Sequence, residues 1–356
     1  MVNNSFFLKK MLDAKAGHKL TIGFIGGSIT QGTGASAHDK CYAYRIYKWW
    51  KDNYPETEFV YVNAGIGGTD SKFGVARVDD DLLNMNPDVA IIEFAVNDVD
   101  NPDCIETAEG LIRKILKKRK DVAVLILCNL IYDTGATMQG EYFKLAEYYK
   151  LPCISIKDTV YADIQMGRIK QSDVTADNIH PLDFGHELIA AKVIEFLESQ
   201  KISSLSGDVI YTDVLPKPFT RNLYENVTRL CNVNSGPKCQ GFVADMEPQS
   251  DIRDCFKKGW YGQRVGDSIE FSEVTRGFVV QYRRTVAGPA PKVKVIVDGR
   301  SICVLDGKYD QDWGDKLEIM TVAEYDNLGE HTISFVVDEA DKGAVPFYLV
   351  SVIVMK

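Results

Sequence analysis

The apolar residues of the first two hundred positions follow two alternating patterns. Short runs of consecutive apolar residues, many of them β-branched, alternate with longer stretches in which apolar residues recur every three or four positions. The short runs predict buried strands at 21–25, 59–63, 89–95, 122–128 and 153–156. The longer stretches predict helices at 42–53, 72–83, 105–119, 140–150 and 182–199. Strands that alternate with helices indicate an α/β domain with a parallel sheet covered on both faces.

Beyond about residue 205 the pattern changes to a period of two. Apolar and polar residues alternate at 269–271, 277–283, 292–297, 330–337 and 347–355, and no long helical pattern is evident. Turn signals such as Asp298-Gly299 and Asp306-Gly307 separate some of these stretches. This pattern predicts an antiparallel β-sandwich. We therefore expect two domains, at 1–204 and 205–356.

Composition narrows the range of partners. The net charge of -9 argues against nucleic acid or an anionic membrane as a partner. No apolar run reaches transmembrane length, and the first twenty residues lack the apolar region of a signal peptide, so we predict a cytoplasmic protein. None of the eight cysteines stands in a CxxC pair, and we expect reduced thiols with no metal and no cofactor. Cys231 and Cys239 could form a bridge only in an oxidising compartment.

Four predicted loops carry residues that could perform chemistry together. Three of them follow the first three strands, and the fourth precedes the last helix of the α/β domain. In parallel sheets of this kind, ligands bind at the carboxyl ends of the strands. The candidate residues in these loops are Ser28, Gly68, Asn97, Asp177 and His180.

The spacing of the last two residues indicates how they could work. Three residues on a turn allow Asp177 to accept a hydrogen bond from His180 Nδ1, which leaves His180 Nε2 free to face Ser28. The backbone N–H groups of Ser28 and Gly68 and the side chain of Asn97 could then receive an oxyanion. A nucleophile, a base, its orienting acid and oxyanion donors form the complete set for acyl transfer by a serine.

Each of these elements alone is commonly structural, since glycine loops form turns and Asn-Asp pairs form caps. The other histidines are weaker candidates for the base. His18 and His38 have no acid at the same spacing, and His331 lies in the second domain. His186 falls inside the last predicted helix, where a structural role is expected.

The four loops resemble the characteristic blocks of the SGNH hydrolases, a branch of the GDSL esterase family. Ser28 matches the serine of block I, Gly68 the glycine of block II and Asn97 the asparagine of block III. Asp177 and His180 match the D-x-x-H of block V. The resemblance covers about the first two hundred residues. It implies a three-layer α/β domain with a flavodoxin-like sheet, and a serine esterase mechanism.

Two positions depart from the family pattern. Gly27 stands where block I usually has aspartate, and Ala95 stands where block III usually has glycine. Neither departure removes a group that the chemistry needs.

The predicted second domain narrows the expected substrate. An SGNH domain followed by a jelly-roll-like sandwich resembles the two-domain mannan acetyl esterases, whose sandwich is similar to a carbohydrate-binding module. This resemblance implies an acetylated oligosaccharide substrate, with manno-oligosaccharides favoured, and leaves a homo-oligomer open. Trp260 and Trp313 stand in loop-like contexts and could stack on a sugar ring. Their alternative role is to fill the core of the sandwich.

Three other functions compete with this interpretation. Residues 32–37 fit the nucleotide-binding pattern G-x-G-x-x-A, but they do not directly follow a strand. A noncatalytic sugar-binding protein would not need the serine, histidine and aspartate together. A lipase, lysophospholipase or thioesterase of the same family remains an alternative. Long apolar lid segments would favour a lipid substrate, and the sequence shows none.

Overall fold

A computed structural model of the chain describes residues 5–203, 215–311 and 314–356. The chain divides into two compact units, Met1–Glu225 and Asn226–Lys356. The predicted boundary at 204 and 205 lies outside the described residues. Residues 215–225 belong to the first unit, where Glu225 accepts a 2.9 Å hydrogen bond from Arg113. This contact ties the segment to the rest of the first unit.

The first unit is built on a five-stranded parallel sheet. Its strands are β1 (Leu20–Gly26), β2 (Phe59–Gly65), β3 (Val89–Glu93), β4 (Ala123–Cys128) and β5 (Cys153–Ser155). They lie in the order β2-β1-β3-β4-β5, and all neighbouring pairs are parallel. This is the flavodoxin-like strand order that the family resemblance implied. The five predicted strands are confirmed. The sequence identified them because short, continuous apolar runs are the pattern of strands buried on both faces.

Helices connect the strands of the first unit. They are α1 (Ser5–Lys15), α2 (Ser28–Gln31), α3 (Tyr42–Asn53), α4 (Ser71–Asp81), α5 (Cys104–Lys118), α6 (Gln139–Tyr149), α7 (Ala162–Gln165), α8 (Gln171–Val174) and α9 (Asp183–Ser203). The five predicted helices correspond to α3, α4, α5, α6 and α9. Within the described ranges, no helix is both long and apolar enough to cross a membrane.

Helix α1 was not predicted. A buried lysine of this helix forms ion pairs with two aspartates of the first unit. Phe7 and Met11 bury one face of this helix in the core of the first unit. Lys10 is also fully buried, and its Nζ lies 3.1 Å from Asp88 Oδ1 and 2.8 Å from Asp121 Oδ2. An ammonium group without exposure to water requires such partners, because burying an unpaired charge is costly. Long-range contacts of this kind have no periodic signature in the sequence.

We expect Lys10→Met to destabilise the protein by about 3 kcal/mol, because it leaves the buried Asp88 carboxylate with one cation fewer. The matched control is Lys9→Met. Lys9 also pairs with Asp121, but its side chain is 33% exposed. An exposed pair contributes only about 0–1 kcal/mol. Denaturant unfolding of the two variants measures the difference, and equal losses would show that burial of the Lys10 pair is unimportant.

The second unit is an all-β structure. Its strands are β6 (Thr228–Leu230), β7 (Lys238–Gln240), β8 (Val243–Ala244), β9 (Trp260–Gly262), β10 (Ser268–Arg284), β11 (Lys292–Val297), β12 (Arg300–Asp306), β13 (Lys316–Glu339) and β14 (Phe347–Met355). The pairing of neighbouring strands is antiparallel throughout.

Two long strands create the layers of this unit. The first half of β10 pairs with β7 and with the end of β13, which also pairs with β11. The second half of β10 pairs with β14 and with the start of β13. The register shifts between Thr275 and Gly277, where the two halves meet. Residues from both halves share one hydrophobic cluster, as expected for a sandwich. The sequence pattern predicted β10 as two strands because this irregularity interrupts the alternation.

Candidate active site

Ser28 follows the carboxyl end of β1, which lies between β2 and β3 in the sheet. Strand β1 ends at Gly26, and α2 begins with Ser28 itself. The serine is 8% exposed. Gly27 allows a close approach here, since a Cβ at position 27 would lie 2.3 Å from Asn97 Oδ1. The side chain of Asn97 therefore occupies the space that a side chain at position 27 would need, which explains why glycine stands here in place of the usual aspartate.

A chain of two hydrogen bonds joins Ser28, His180 and Asp177. His180 Nε2 lies 2.9 Å from Ser28 Oγ, and His180 Nδ1 lies 2.6 Å from Asp177 Oδ2. Because a carboxylate only accepts, the imidazole donates through Nδ1, and Nε2 is left to accept the hydroxyl proton of Ser28. These are the contacts that the sequence spacing predicted.

The backbone of the loop holds Asp177 in place. Asp177 Oδ1 accepts hydrogen bonds from the N–H groups of Ile179 at 2.9 Å and His180 at 2.7 Å. Asn178 has a φ of 67°, and its carbonyl oxygen accepts a 2.7 Å hydrogen bond from the N–H of Tyr132. Partial burial alone would raise the pKa of Asp177, but the hydrogen bonds from His180 and Ile179 outweigh it and lower the pKa to about 2. The carboxylate is therefore ionised at neutral pH.

Asn97 lies on the turn after β3, next to a buried acid. The Oδ1 atom of Asn97 is buried and has no hydrogen-bond partner among the residues that the structure describes. Asp98 beside it is fully buried and accepts from the Ser71 N–H at 2.9 Å and from the Tyr142 hydroxyl at 2.7 Å. Asp98 thus ties the Asn97 turn to the start of α4. The sequence indicated no such role for Asp98.

Gly68 lies in the loop between β2 and α4. Its φ of 68° is in the left-handed region, which glycine adopts at the lowest cost. The loop begins with a hydrogen bond from the Ile66 N–H to the Gly26 carbonyl, at 3.1 Å, so it starts beside the strand end that precedes Ser28. Across residues 5–203, 215–311 and 314–356, the Gly68 N–H donates no hydrogen bond to another backbone group.

Glu93 is a buried acid that contacts the helix of Ser28, and the sequence analysis did not predict this contact. Thr30 Oγ1 donates a 3.0 Å hydrogen bond to Glu93 Oε2 and lies 2.8 Å from the hydroxyl of Tyr42. When the Glu93 carboxyl is ionised it only accepts, so the threonine proton goes to Glu93 and the Tyr42 hydroxyl donates to Thr30. Burial raises the pKa of Glu93 to about 7. This network anchors α2, and its members are too far apart in sequence to form a local motif.

His186 bridges two backbone groups. Its Nδ1 accepts from the Tyr42 N–H at 3.3 Å, and its Nε2 lies 3.2 Å from the Thr33 carbonyl oxygen. The residue is fully buried, and burial lowers the pKa of its imidazole to about 4. The expected structural role agrees with these contacts. Residues 32–37, which fit the nucleotide-binding pattern, form the loop after α2 rather than a turn between a strand and a long helix.

Of the two tryptophans that were predicted to contact a sugar, the structure describes only Trp260. Trp260 is 2% exposed and packs edge-on against Phe271, with ring centroids 5.3 Å apart. The prediction that Trp260 contacts substrate is therefore wrong, because its ring fills the core of the second unit. The prediction relied on the glycine and charged residues beside Trp260 in the sequence, which are typical of an exposed loop. In the folded unit the ring packs in the hydrophobic cluster instead. Trp313 lies outside the described residues.

The segment that carries all five candidate residues matches a known enzyme family. The profile of the GDSL-like lipase/acylhydrolase family matches residues 24–188. No curated protein sequence was found to match the chain.

Two solved structures are similar to nearly the whole chain. One is a two-domain esterase (CEX) active on acetylated mannans, with 43% identity, 99% of this chain and 95% of that chain covered, and a TM-score of 0.93. The other is such an esterase co-crystallised with mannopentaose, with 44% identity, 98% of this chain and 94% of that chain covered, and a TM-score of 0.91. Both alignments cover nearly all of the two units. The chain belongs to the GDSL-like lipase/acylhydrolase family.

Proposed function

We propose that this protein is a serine esterase that removes acetyl groups from acetylated oligosaccharides, with manno-oligosaccharides as the preferred substrates. The observation that carries the proposal is the hydrogen-bonded chain from Ser28 through His180 to Asp177. This arrangement pairs a nucleophile with a base and orients the base by an ionised acid.

The first chemical step forms the acetyl-enzyme. Ser28 Oγ attacks the carbonyl carbon of the acetyl ester while His180 Nε2 takes the hydroxyl proton. Asp177 keeps the proton of His180 on Nδ1 and stabilises the imidazolium that forms. When the tetrahedral intermediate collapses, the bond to the sugar oxygen breaks, and His180 returns its proton to that oxygen. A water molecule then attacks the acetyl group by the same route, and acetate leaves.

Three donors receive the negative charge of the intermediate in this proposal. They are the backbone N–H groups of Ser28 and Gly68 and the side-chain Nδ2 of Asn97. Within the part of the chain that the structure describes, the Gly68 N–H makes no hydrogen bond to another backbone group, which supports its role. One such donor typically contributes about 3 kcal/mol to transition-state stabilisation.

The proposed substrate rests on the similarity to the two-domain esterases. Those esterases are active on acetylated mannans, and one of them was co-crystallised with mannopentaose. The alignments cover both units of the present chain, so we propose the same class of substrate for it. A sugar-binding role of the second unit, a contact from Trp313 and a cytoplasmic location remain predictions of the sequence.

The test of the proposed function uses the full-length protein and a panel of acetylated oligosaccharides. We expect mass spectrometry to show loss of acetyl groups from manno-oligosaccharides faster than from xylo- or cello-oligosaccharides of equal length. Aryl esters of increasing acyl length form a second series, in which acetate should be the best substrate. Preference for a long acyl chain would favour a lipase or thioesterase, and preference for acetylated xylo-oligosaccharides would overturn the mannan assignment.

We expect Asn97→Ala to lower kcat by about 10²–10³-fold with little change in KM, because the contact with the oxyanion strengthens in the transition state. Steady-state kinetics on an acetylated manno-oligosaccharide separates the two parameters. A rise in KM alone would mean that Asn97 binds the sugar and has no part in receiving the oxyanion.

A further inference from the structure

Gln31 connects the helix that carries Ser28 to the loop that carries Gly68. The residue ends α2, and its side chain is half-buried. Gln31 Oε1 accepts a 2.6 Å hydrogen bond from the backbone N–H of Gly67. The contact spans 36 positions in the sequence, so no local pattern reveals it. Through this bond, a side chain of the Ser28 helix holds the residue that precedes Gly68 in the sequence.

The orientation of the Gln31 amide is determined by its partner. A backbone N–H can only donate, so the atom that faces Gly67 must be the oxygen. The position is also close to the nucleophile. A Cβ at position 67 would lie 3.2 Å from Gln31 Oε1 and 3.7 Å from Ser28 Cβ. Gly67 is exposed to solvent, but one side of it lies against both of these side chains.

The loop is held on both sides of Gly68 but not at Gly68 itself. Before it, the Ile66 N–H binds the Gly26 carbonyl and the Gly67 N–H binds Gln31. After it, Thr69 Oγ1 donates a 2.7 Å hydrogen bond to the Ile66 carbonyl. Gly67 and Gly68 have no side chains of their own to restrict the backbone. The contact with Gln31 thus restrains the residue directly before Gly68.

We propose that Gln31 is a positioning residue, which fixes the Gly67 peptide so that the Gly68 N–H faces the oxyanion formed on Ser28. This inference rests on the proposed function. Gln31 does not contact the reacting atoms in this role. It acts through the backbone of Gly67, and its contribution is the preorganisation of one oxyanion donor.

The test compares variants that keep or remove the acceptor. Gln31→Met has a similar length but accepts no comparable hydrogen bond, and Gln31→Ala removes the side chain. Since the Gly68 donor would be misaligned rather than lost, we expect both variants to lower kcat by about 10–100-fold, with KM nearly unchanged. Gln31→Glu keeps an acceptor but adds a negative charge, so its kcat should lie between that of the wild type and that of Gln31→Met.

A boronic acid gives a readout that a general structural role would not move. Methylboronic acid forms a tetrahedral adduct with an active-site serine and places an oxygen at the oxyanion position. We expect Gln31→Met to weaken its inhibition by the same factor as kcat, while inhibition by the deacetylated oligosaccharide product stays constant. Equal weakening of both inhibitors, or wild-type kcat in Gln31→Met and Gln31→Ala, would overturn the role of Gln31.

Two controls separate this inference from other failures. Gln263→Met removes a 2.9 Å hydrogen bond to the Ala344 carbonyl in the second unit and should leave kcat unchanged. Thermal unfolding shows whether each variant is folded, and Gln31→Ala decides the outcome if the methionine variant is not. If the wild-type protein does not hydrolyse acetyl esters, the proposed function is wrong. If it does and the Gln31 variants match it, only this inference is wrong.

Discussion

Ser28→Ala should reduce ester hydrolysis to the background rate while both units remain folded. The substitution removes the nucleophile, and loss of the serine from a comparable serine–histidine–aspartate site lowers kcat by about 10⁶-fold. The Ser28 hydroxyl bonds to His180, which is partly exposed, so its removal leaves no fully buried group without a partner. Hydrolysis of an aryl acetate measures activity, and thermal unfolding measures the fold.

Ser36→Ala is the matched control for this variant. Ser36 is exposed and lies in the loop after α2, where its Oγ donates a 2.6 Å hydrogen bond to Asp183 Oδ2. We expect activity close to that of the wild type. A fluorophosphonate should label the wild-type protein and Ser36→Ala, but not Ser28→Ala. Retained hydrolysis by purified Ser28→Ala would overturn the serine esterase assignment.

The hydrophobic pattern predicted the framework of the first unit because its strands are buried on both faces. A fully buried strand such as β4 has no polar face, so its sequence is one continuous apolar run. The carboxyl ends of parallel strands lie at one edge of the sheet, so the residues that follow them can be grouped from the amino-acid pattern alone. The Asp177–His180 contact was predictable for a different reason, since three residues on one turn bring the two side chains together.

The remaining features depend on contacts between distant parts of the chain. Gln31 meets Gly67, Thr30 meets Glu93, and Lys10 meets Asp88, in each case across many intervening residues. A single sequence records these partners only as separate residues. The prediction for Trp260 was wrong for a related reason, because its ring packs against Phe271 and not against its polar neighbours in the sequence.

The two partners of Ser28 should differ in how much their loss costs. We expect His180→Ala to lower kcat by about 10⁴-fold or more, since the histidine is the base that takes the serine proton. For Asp177→Asn the full effect in a buried triad is about 10⁴-fold, caused by stabilising the wrong imidazole tautomer. Here the Asp177 side chain is 54% exposed, whereas that of His180 is 26% exposed. Water can therefore solvate the imidazolium in part, and we expect a smaller loss for Asp177→Asn.

The pH dependence provides an independent check on Asp177. Its pKa in the folded protein is lowered to about 2, so the carboxylate and the stability that it contributes persist above its unfolded pKa of about 3.9 and are lost only as the pH falls through about 2. The wild-type rate should consequently show no titration of Asp177 above about pH 4. Added imidazole should restore part of the activity of His180→Ala but none of that lost in Asp177→Asn, because only the first variant lacks a base. If neither substitution changes kcat, another residue must remove the serine proton, and the chain from Ser28 to Asp177 has no catalytic role.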